Sequence, residues 1–180
     1  DFRDYSLPSQ RRRLSQALER LHCADLPSLQ QLVLDDPAAF GKLLQILTVP
    51  VTQMFRDPAF FRALREQVVP VLKTYPSPTL WVAGCCTGEE ALSLAIVLHE
   101  EGLLERSTIY ATDINPQALA TAARGVYRLH RMADYGDNYL AAGGLGQLAE
   151  YYTVEHSTAH FQQRLLDRIN FADHSLSTDS

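Results

Sequence analysis

After residue 79 the hydrophobic pattern becomes a short apolar run, a glycine-bounded turn and a long apolar helix, and then the series repeats. Residues 80–83 (LWVA) form a run closed by Gly84, which suits a buried parallel strand. A helix follows through ALSLAIVLHEE, with Gly102 as its natural stop. Residues 108–112 (TIYAT) make a second buried run ending at Asp113, and Asn115-Pro116 opens a helix through QALATAAR. Residues 125–160 read as less regular, a last helix is expected over 159–167, and RINFAD (168–173) is a candidate third strand. Strand–helix–strand–helix order predicts an open parallel α/β sheet. Ligands of such sheets lie in the crevice at the carboxyl ends of the strands.

The chain before this point reads as all-helical. In QRRRLSQALERLH, Leu14, Ala17, Leu18 and Leu21 recur at helical spacing, with Arg11, Arg12, Arg13 and Arg20 on the remaining surface. A short helix is expected after Ser28, and Asp36-Pro37 and Asp57-Pro58 each read as a cap followed by proline at the first helical position. Pro70 should kink or end the last of these helices. The segment YPSPT (75–79) is a linker. The expected organisation is therefore a helical domain over 1–75 and an α/β domain over 76–180.

Charge is split between the two parts. Residues 1–65 carry nine Lys/Arg against seven Asp/Glu, and residues 66–180 carry seven against fourteen, giving the net −5. An acidic chain is a poor partner for free nucleic acid, whereas a locally basic helix can meet an acidic protein surface. No apolar run approaches the roughly 20 residues of a membrane span, so no membrane insertion is expected. Three cysteines without framework spacing argue for a reducing compartment, the cytoplasm. Cys85 and Cys86 are adjacent, with Cα atoms about 3.8 Å apart, below the separation of about 4.4–6.8 Å that an unstrained disulfide uses.

The strongest local signal is Trp81-Val-Ala-Gly84-Cys-Cys-Thr-Gly88-Glu-Glu90 at the first strand-to-helix junction. Its glycines permit either a tight structural turn or close approach of backbone to a ligand. The spacing is G-x-x-x-G, neither the dinucleotide fingerprint nor a Gly-Lys-Ser/Thr phosphate loop. Two glutamates in the first helical turn would repel a phosphate and favour a cation. Asp113, 29 residues after Gly84, is placed to accept ribose hydroxyls or to cap the helix that starts at Pro116. A glycine turn with carboxylates and no phosphate-binding cation fits a cationic nucleoside, and S-adenosylmethionine matches that description. His156-x-x-x-His160 has the spacing of a helical zinc pair but lacks a third ligand, so no metal is expected.

Several pieces occur in order: Thr52-Gln-Met-Phe-Arg56-Asp, the Trp81–Glu90 turn, Ala111-Thr-Asp113-Ile114-Asn, and Ala123-Arg-Gly-Val-Tyr127. Together they resemble the CheR-type chemotaxis receptor methyltransferases. The opening DFRDYSLPSQRRR is similar to the start of that family's helical domain, and Phe171-Ala-Asp-His174-Ser-Leu176 to the end of its third strand. The resemblance implies a helical N-terminal domain followed by a Rossmann-like class I methyltransferase sheet. It implies methyl transfer from S-adenosylmethionine, leaving S-adenosylhomocysteine, to glutamate side chains of a chemoreceptor cytoplasmic domain.

Thr52 and Arg56 match the family's T-x-x-x-R, whose members contact cofactor and whose arginine is implicated in catalysis. Gly84 belongs to the cofactor turn. Glu90 matches the second glutamate of the family's T-G-E-E, which contacts cofactor. Asp113 and Ile114 match the site that holds ribose and flanks adenine. Ser175 and Leu176 fall where Asn-Leu borders adenine. Pro50 stands where members often have Asn, Ser175 where Asn is common, and Cys86 where Ser is frequent. The family's helical domain meets the acidic methylation region of the receptor, so Arg11, Arg12, Arg13 and Arg20 are expected to dock there.

A cofactor- or receptor-binding scaffold without turnover is the alternative, and a small-molecule carboxyl methyltransferase the third reading. The family sheet has seven strands and only three are read here, and Asp1 stands in place of Met. The chain is accordingly expected to be truncated at its C-terminus and inactive alone, with an incomplete sheet.

Overall fold

A computed structural model describes residues 6–47 and 52–176. They fall into two compact units, divided between residues 51 and 52. The first contains three helices, α1 (Leu7–Arg20), α2 (Leu26–Asp35) and α3 (Pro37–Leu47). Ala17, Leu29 and Ile46 form its buried centre, with Leu14, Leu18, Leu21, Val33 and Leu43 around them. Local chemistry sets the helix starts. Asp25 and Ser28 close a reciprocal capping box on α2, so that helix begins at Leu26, three residues before the start expected after Ser28. Asp36 accepts the Ala38 N–H at 2.8 Å, as its position before Pro37 predicts.

The second unit runs from Thr52 to Leu176. Helix α4 (Pro58–Ala63) widens into a π-helical stretch, Leu64–Val68, and resumes as α5 (Val69–Leu72). Asp57 makes no side-chain capping bond to α4. Pro70 neither ends the helix nor lies in a regular one. A proline lacks an N–H and crowds the preceding turn, and the wider π turn accommodates both. This helix does not belong with the N-terminal helices as a boundary near 75 requires. Phe61 and Val69 are buried in the same core as Val82, Ile96 and Ile109, and that packing moves the boundary to 51/52.

Strand β1 (Thr79–Ala83) leads through the glycine turn into α6 (Glu89–Glu100), followed by β2 (Thr108–Asp113) and α7 (Pro116–Arg124). Then come β3 (Val126–Arg128), α8 (Met132–Ala141), β4 (Tyr152–Glu155), β5 (Thr158–Phe161), α9 (Gln163–Leu166) and β6 (Ile169–Asp173). Strands β1, β2 and β6 form a parallel sheet in the order β1-β2-β6, with Trp81 opposite Tyr110 and Tyr110 opposite Asn170. Successive residues alternate between faces. Val82, Ile109, Ala111 and Ile169 are buried on one face, while Trp81 (56% exposed) and Tyr110 lie on the other. Every residue of α6 from Ala91 to Leu98 is buried.

The stretch 125–160, which reads as irregular, contains a second, antiparallel sheet in the order β3-β5-β4. Its strands have three or four residues, too few to display a period of two. The β4–β5 hairpin turns through His156-Ser157, with His156 at φ +54°, without the Asn-Gly that normally marks such a loop. The helix expected over 159–167 is replaced by β5 and the single turn of α9. Among the described residues no helix is long and apolar enough to cross a membrane.

Leu92 is fully buried in α6 and Leu145 is exposed. Leu92→Ala should therefore lower unfolding free energy by about 2–5 kcal/mol. Leu145→Ala should stay within about 0.5 kcal/mol of wild type, read by denaturant titration of the full chain.

Candidate functional site at the carboxyl ends of the parallel strands

The turn after β1 contains three left-handed positions, Gly84 (φ +74°), Cys86 (φ +52°) and Gly88 (φ +91°). The register that sets Ala83 beside Thr112 brings the Thr112 carbonyl to the turn, where it accepts the N–H groups of Gly84 and Cys85, both at 2.8 Å. Cys86 N–H donates to Asp113 Oδ2 at 2.8 Å, and Gly88 N–H to the Cys85 carbonyl at 2.9 Å. A β-carbon on Gly88 would lie 2.6 Å from Ala122 Cβ, so α7 packs directly on the turn. A β-carbon on Gly84 would meet nothing within 4 Å. Backbone therefore borders open space at Gly84.

Asp113 does not cap α7. That role falls to Asn115, whose side chain accepts the N–H groups of Gln117 and Ala118 at 3.0 and 3.2 Å. Asp113 Oδ1 accepts Asn115 N–H at 2.8 Å, so each carboxylate oxygen holds one backbone donor. Each keeps a further lone pair. Ile114, partly exposed, follows at once. Asp113 pairs with Asp173, and its carbonyl accepts the His174 N–H at 3.3 Å, which places Ser175 and Leu176 just past the end of the neighbouring strand. Gly84, Asp113, Ile114, Ser175 and Leu176 thus share the carboxyl end of one sheet.

The two glutamates that start α6 have opposite environments. Glu90 is exposed, whereas Glu89 is 1% exposed. Glu89 Oε2 accepts the Thr87 hydroxyl at 2.6 Å. Its Oε1 accepts the Tyr135 hydroxyl at 3.3 Å and lies 3.6 Å from Arg131 Nη1. Burial pushes the Glu89 carboxyl above its ordinary range, against the opposing pull of these donors. Tyr127, whose hydroxyl donates to the Thr87 carbonyl at 2.8 Å, has its own ionisation raised by burial. Burial also raises the Cys85 thiol to about 12 and shifts Cys86 the same way. Both thiols are neutral at physiological pH and neither is activated as a nucleophile.

Thr52 is half-buried and Arg56 exposed, and between them Met54 and Phe55 are fully buried. Phe55 packs edge-on against Phe61 and Tyr139, at ring distances of 5.0 and 5.4 Å. Its N–H donates to Ser93 Oγ at 3.0 Å, which fastens the segment to the first turns of α6 beside Glu90. Arg11, Arg12 and Arg20 are exposed on α1. Arg13 is engaged internally, donating to the carbonyls of Ile46 and Leu47 at the end of α3, at 3.0 and 3.2 Å. His156 and His160 lie on the β4–β5 hairpin, not on a helix, so their spacing does not give the helical i, i+4 geometry. Pro50 lies outside the described residues.

Ser93 is the site residue that the sequence reading passes over, and Glu89, read together with Glu90 as favouring a cation, is instead buried. Ser93 had a visible signal, as the single hydroxyl in the buried run 91–98. Nothing local separates Glu89 from Glu90.

A nucleoside fits this donor set. The carboxylate at the end of β2 retains acceptor capacity, an acidic helix start suits a cation, and space opens at Gly84. These features define an α/β nucleoside-binding unit without a phosphate loop. Residues 50–180 match the family described as CheR methyltransferase, SAM binding domain. The chain belongs to this family, and S-adenosylmethionine is the cofactor of the matched domain. It is 53% identical to Cher3 of Pseudomonas putida, a protein named as a methyltransferase, over 180 residues that make up 100% of this chain and 66% of that protein. It is 30% identical over 104 residues to a chemotaxis protein methyltransferase of Listeria monocytogenes, covering 57% of this chain and 40% of that one. With the corresponding protein of Klebsiella aerogenes the identity is 32% over 121 residues, 64% of this chain and 40% of the relative. The chain therefore spans about two thirds or less of the length of these relatives.

Between its ordinary value near 4.5 and its raised value in the folded protein, Glu89 keeps a proton that the unfolded chain has released. Its contribution to stability is therefore full below 4.5 and falls as pH rises through that window. Denaturant titrations across this range should show a shallower decline in Glu89→Gln than in wild type.

Proposed function

We propose that the protein is an S-adenosylmethionine-dependent protein-glutamate O-methyltransferase that acts on the cytoplasmic domain of a chemoreceptor. The observation that carries the reading is the attachment of the Thr52–Arg56 segment to the same helix start that follows the glycine turn and Asp113. When bound, S-adenosylmethionine supplies a methyl group on a positively charged sulfur and leaves as S-adenosylhomocysteine. Asp113 holds the ribose hydroxyls through its remaining lone pairs. Gly84 lets backbone approach the ligand, Glu90 offsets its positive charge, and Thr52 and Arg56 each add a side-chain contact to it. Ile114 and Leu176 flank the adenine, with Ser175 as the polar neighbour.

The acceptor needs no general base, because a glutamate of ordinary pKa, about 4.3, is already ionised at neutral pH. What the protein must supply is alignment of carboxylate oxygen, methyl and sulfur, and alignment alone can lower a barrier by several kcal/mol. Arg56 is suited to hold the acceptor carboxylate through two parallel N–H bonds. The neutral thiols of Cys85 and Cys86 stay out of the chemistry. Free cysteines support a cytoplasmic location. Exposed Arg11, Arg12 and Arg20 support docking on an acidic helical surface, from which Arg13 is withdrawn by its bonds to α3.

Transfer of labelled methyl from S-adenosylmethionine to receptor-enriched membranes tests the reading in the full-length protein. Arg56→Ala should lower kcat/KM by about 10- to 100-fold, the loss expected for hydrogen bonds to a charged group. Cofactor binding without any transfer would instead favour the scaffold, and transfer to small carboxylic acids alone the third reading.

Reversing Arg11, Arg12 and Arg20 to Glu together should raise KM for receptor and weaken the salt dependence of that KM. The affinity for S-adenosylhomocysteine should stay unchanged, as calorimetry would report.

A further inference from the structure

The geometry points to Ser93 and Asn138 as positioning residues that clamp the Met54–Phe55 peptide plane and thereby set the direction in which Arg56 leaves the core. This rests on the methyltransferase reading above. The carbonyl of Met54 and the N–H of Phe55 belong to one peptide group, and each end of it is held. Ser93 Oγ accepts the Phe55 N–H at 3.0 Å, and Asn138 Nδ2 donates to the Met54 carbonyl at 3.1 Å. The two clamps come from different helices, α6 and α8, 38 and 84 residues away in sequence.

The plane needs holding because Phe55 sits at φ +51°. For an aromatic residue that left-handed conformation is strained, and such strain persists only where the surroundings over-determine it. Rotation of the peptide plane would relieve it and would redirect the chain at the next residue, Arg56. Phe55 cannot follow such a rotation freely, since its ring is fully buried between Phe61 and Tyr139. Packing therefore fixes the side chain, and the two hydrogen bonds fix the peptide.

Ser93 is fully buried, and both its hydrogen-bonding capacities are used. Its hydroxyl donates to the Glu89 carbonyl one turn back, at 2.7 Å. A serine inside a helix often makes that bond alone. Here the same oxygen also accepts from Phe55, so one hydroxyl joins the Arg56 segment to the helix turn that carries Glu89 and Glu90. Without it the Phe55 N–H would be buried with no acceptor.

The test is a double-mutant cycle in the full-length protein, read by calorimetric affinity for S-adenosylhomocysteine, which needs no turnover. Ser93→Ala should weaken affinity by about tenfold when Arg56 is present, the cost of one lost ordinary hydrogen bond with its partner left buried. In an Arg56→Ala background it should change affinity by less than about twofold. Asn138→Ala should behave in the same way, and it carries the cycle if thermal melting shows Ser93→Ala to be unfolded. Equal loss in both backgrounds, or no loss in either, overturns the inference and leaves these side chains with a purely structural role. If Arg56→Ala alone leaves affinity intact, the role assigned to Arg56 fails and the inference falls with it. If the wild-type protein binds no S-adenosylhomocysteine, the methyltransferase reading itself has failed.

Discussion

The carboxylate of Asp113 joins the end of β2 to the turn after β1, and the geometry of the site depends on that link. The turn places a non-glycine residue, Cys86, in the left-handed region, at a cost of about 1–3 kcal/mol. The bond from Cys86 N–H to a carboxylate oxygen is of the stronger kind, worth about 1.5–3 kcal/mol, and so offsets that strain. The strand register adds to this. With Ala83 beside Thr112, the Thr112 carbonyl meets two successive N–H groups. A carboxylate at the last position of β2 and a glycine directly after β1 are therefore parts of one device.

Helix α6 extends this order through the second unit. Three of its polar residues, Glu89, Ser93 and Glu100, bond to side chains or backbone outside the helix. Glu89 takes hydroxyls from Thr87 and Tyr135, and Tyr127 of β3 also bonds the turn. Ser93 takes the Phe55 N–H. Glu100, near the other end, pairs with Arg65 of the π-helical stretch and accepts from Tyr139, Tyr151 and the Leu145 N–H. The antiparallel sheet is consequently tied to the glycine turn by Tyr127.

These ties explain what can and cannot be read from the sequence. The parallel strands are legible because each is a compact apolar run between breakers; observed Thr79–Ala83, Thr108–Asp113 and Ile169–Asp173 differ from expectation by one residue at an end. Proline and aspartate mark helix starts because their effects are local. The antiparallel sheet is illegible because β3 has three residues and the hairpin loop lacks glycine. The unit boundary is hidden for another reason. Helicity of residues 58–72 is a local property, but their attachment depends on Phe61 and Val69 meeting a core built mostly from residues after 80. At the site, Gly84 and Asp113 announce themselves by position at strand ends. Ser93 and Asn138 act across 38 and 84 residues, where a sequence pattern carries no distance information.

The adjacent carboxylates and the turn together also decide which ligands the crevice can take. In phosphate-binding loops the backbone N–H groups of the turn point at the ligand and hold its charge. Here the N–H groups of Gly84, Cys85, Cys86 and Gly88 are all bonded inside the protein, one of them to a carboxylate. An anion would have to displace Asp113 or the carbonyls of Thr112 and Cys85 to reach them, and would meet the carboxyl of Glu90 on arrival. Glu89 does not add to that repulsion in the open, because helical rotation turns it inward onto Arg131 and Tyr135. At these four positions the turn therefore forms a wall of bonded backbone beside an acceptor carboxylate. Such a wall suits a nucleoside that carries positive charge and no phosphate, and it does so through backbone hydrogen bonding that the spacing of the glycines alone does not reveal.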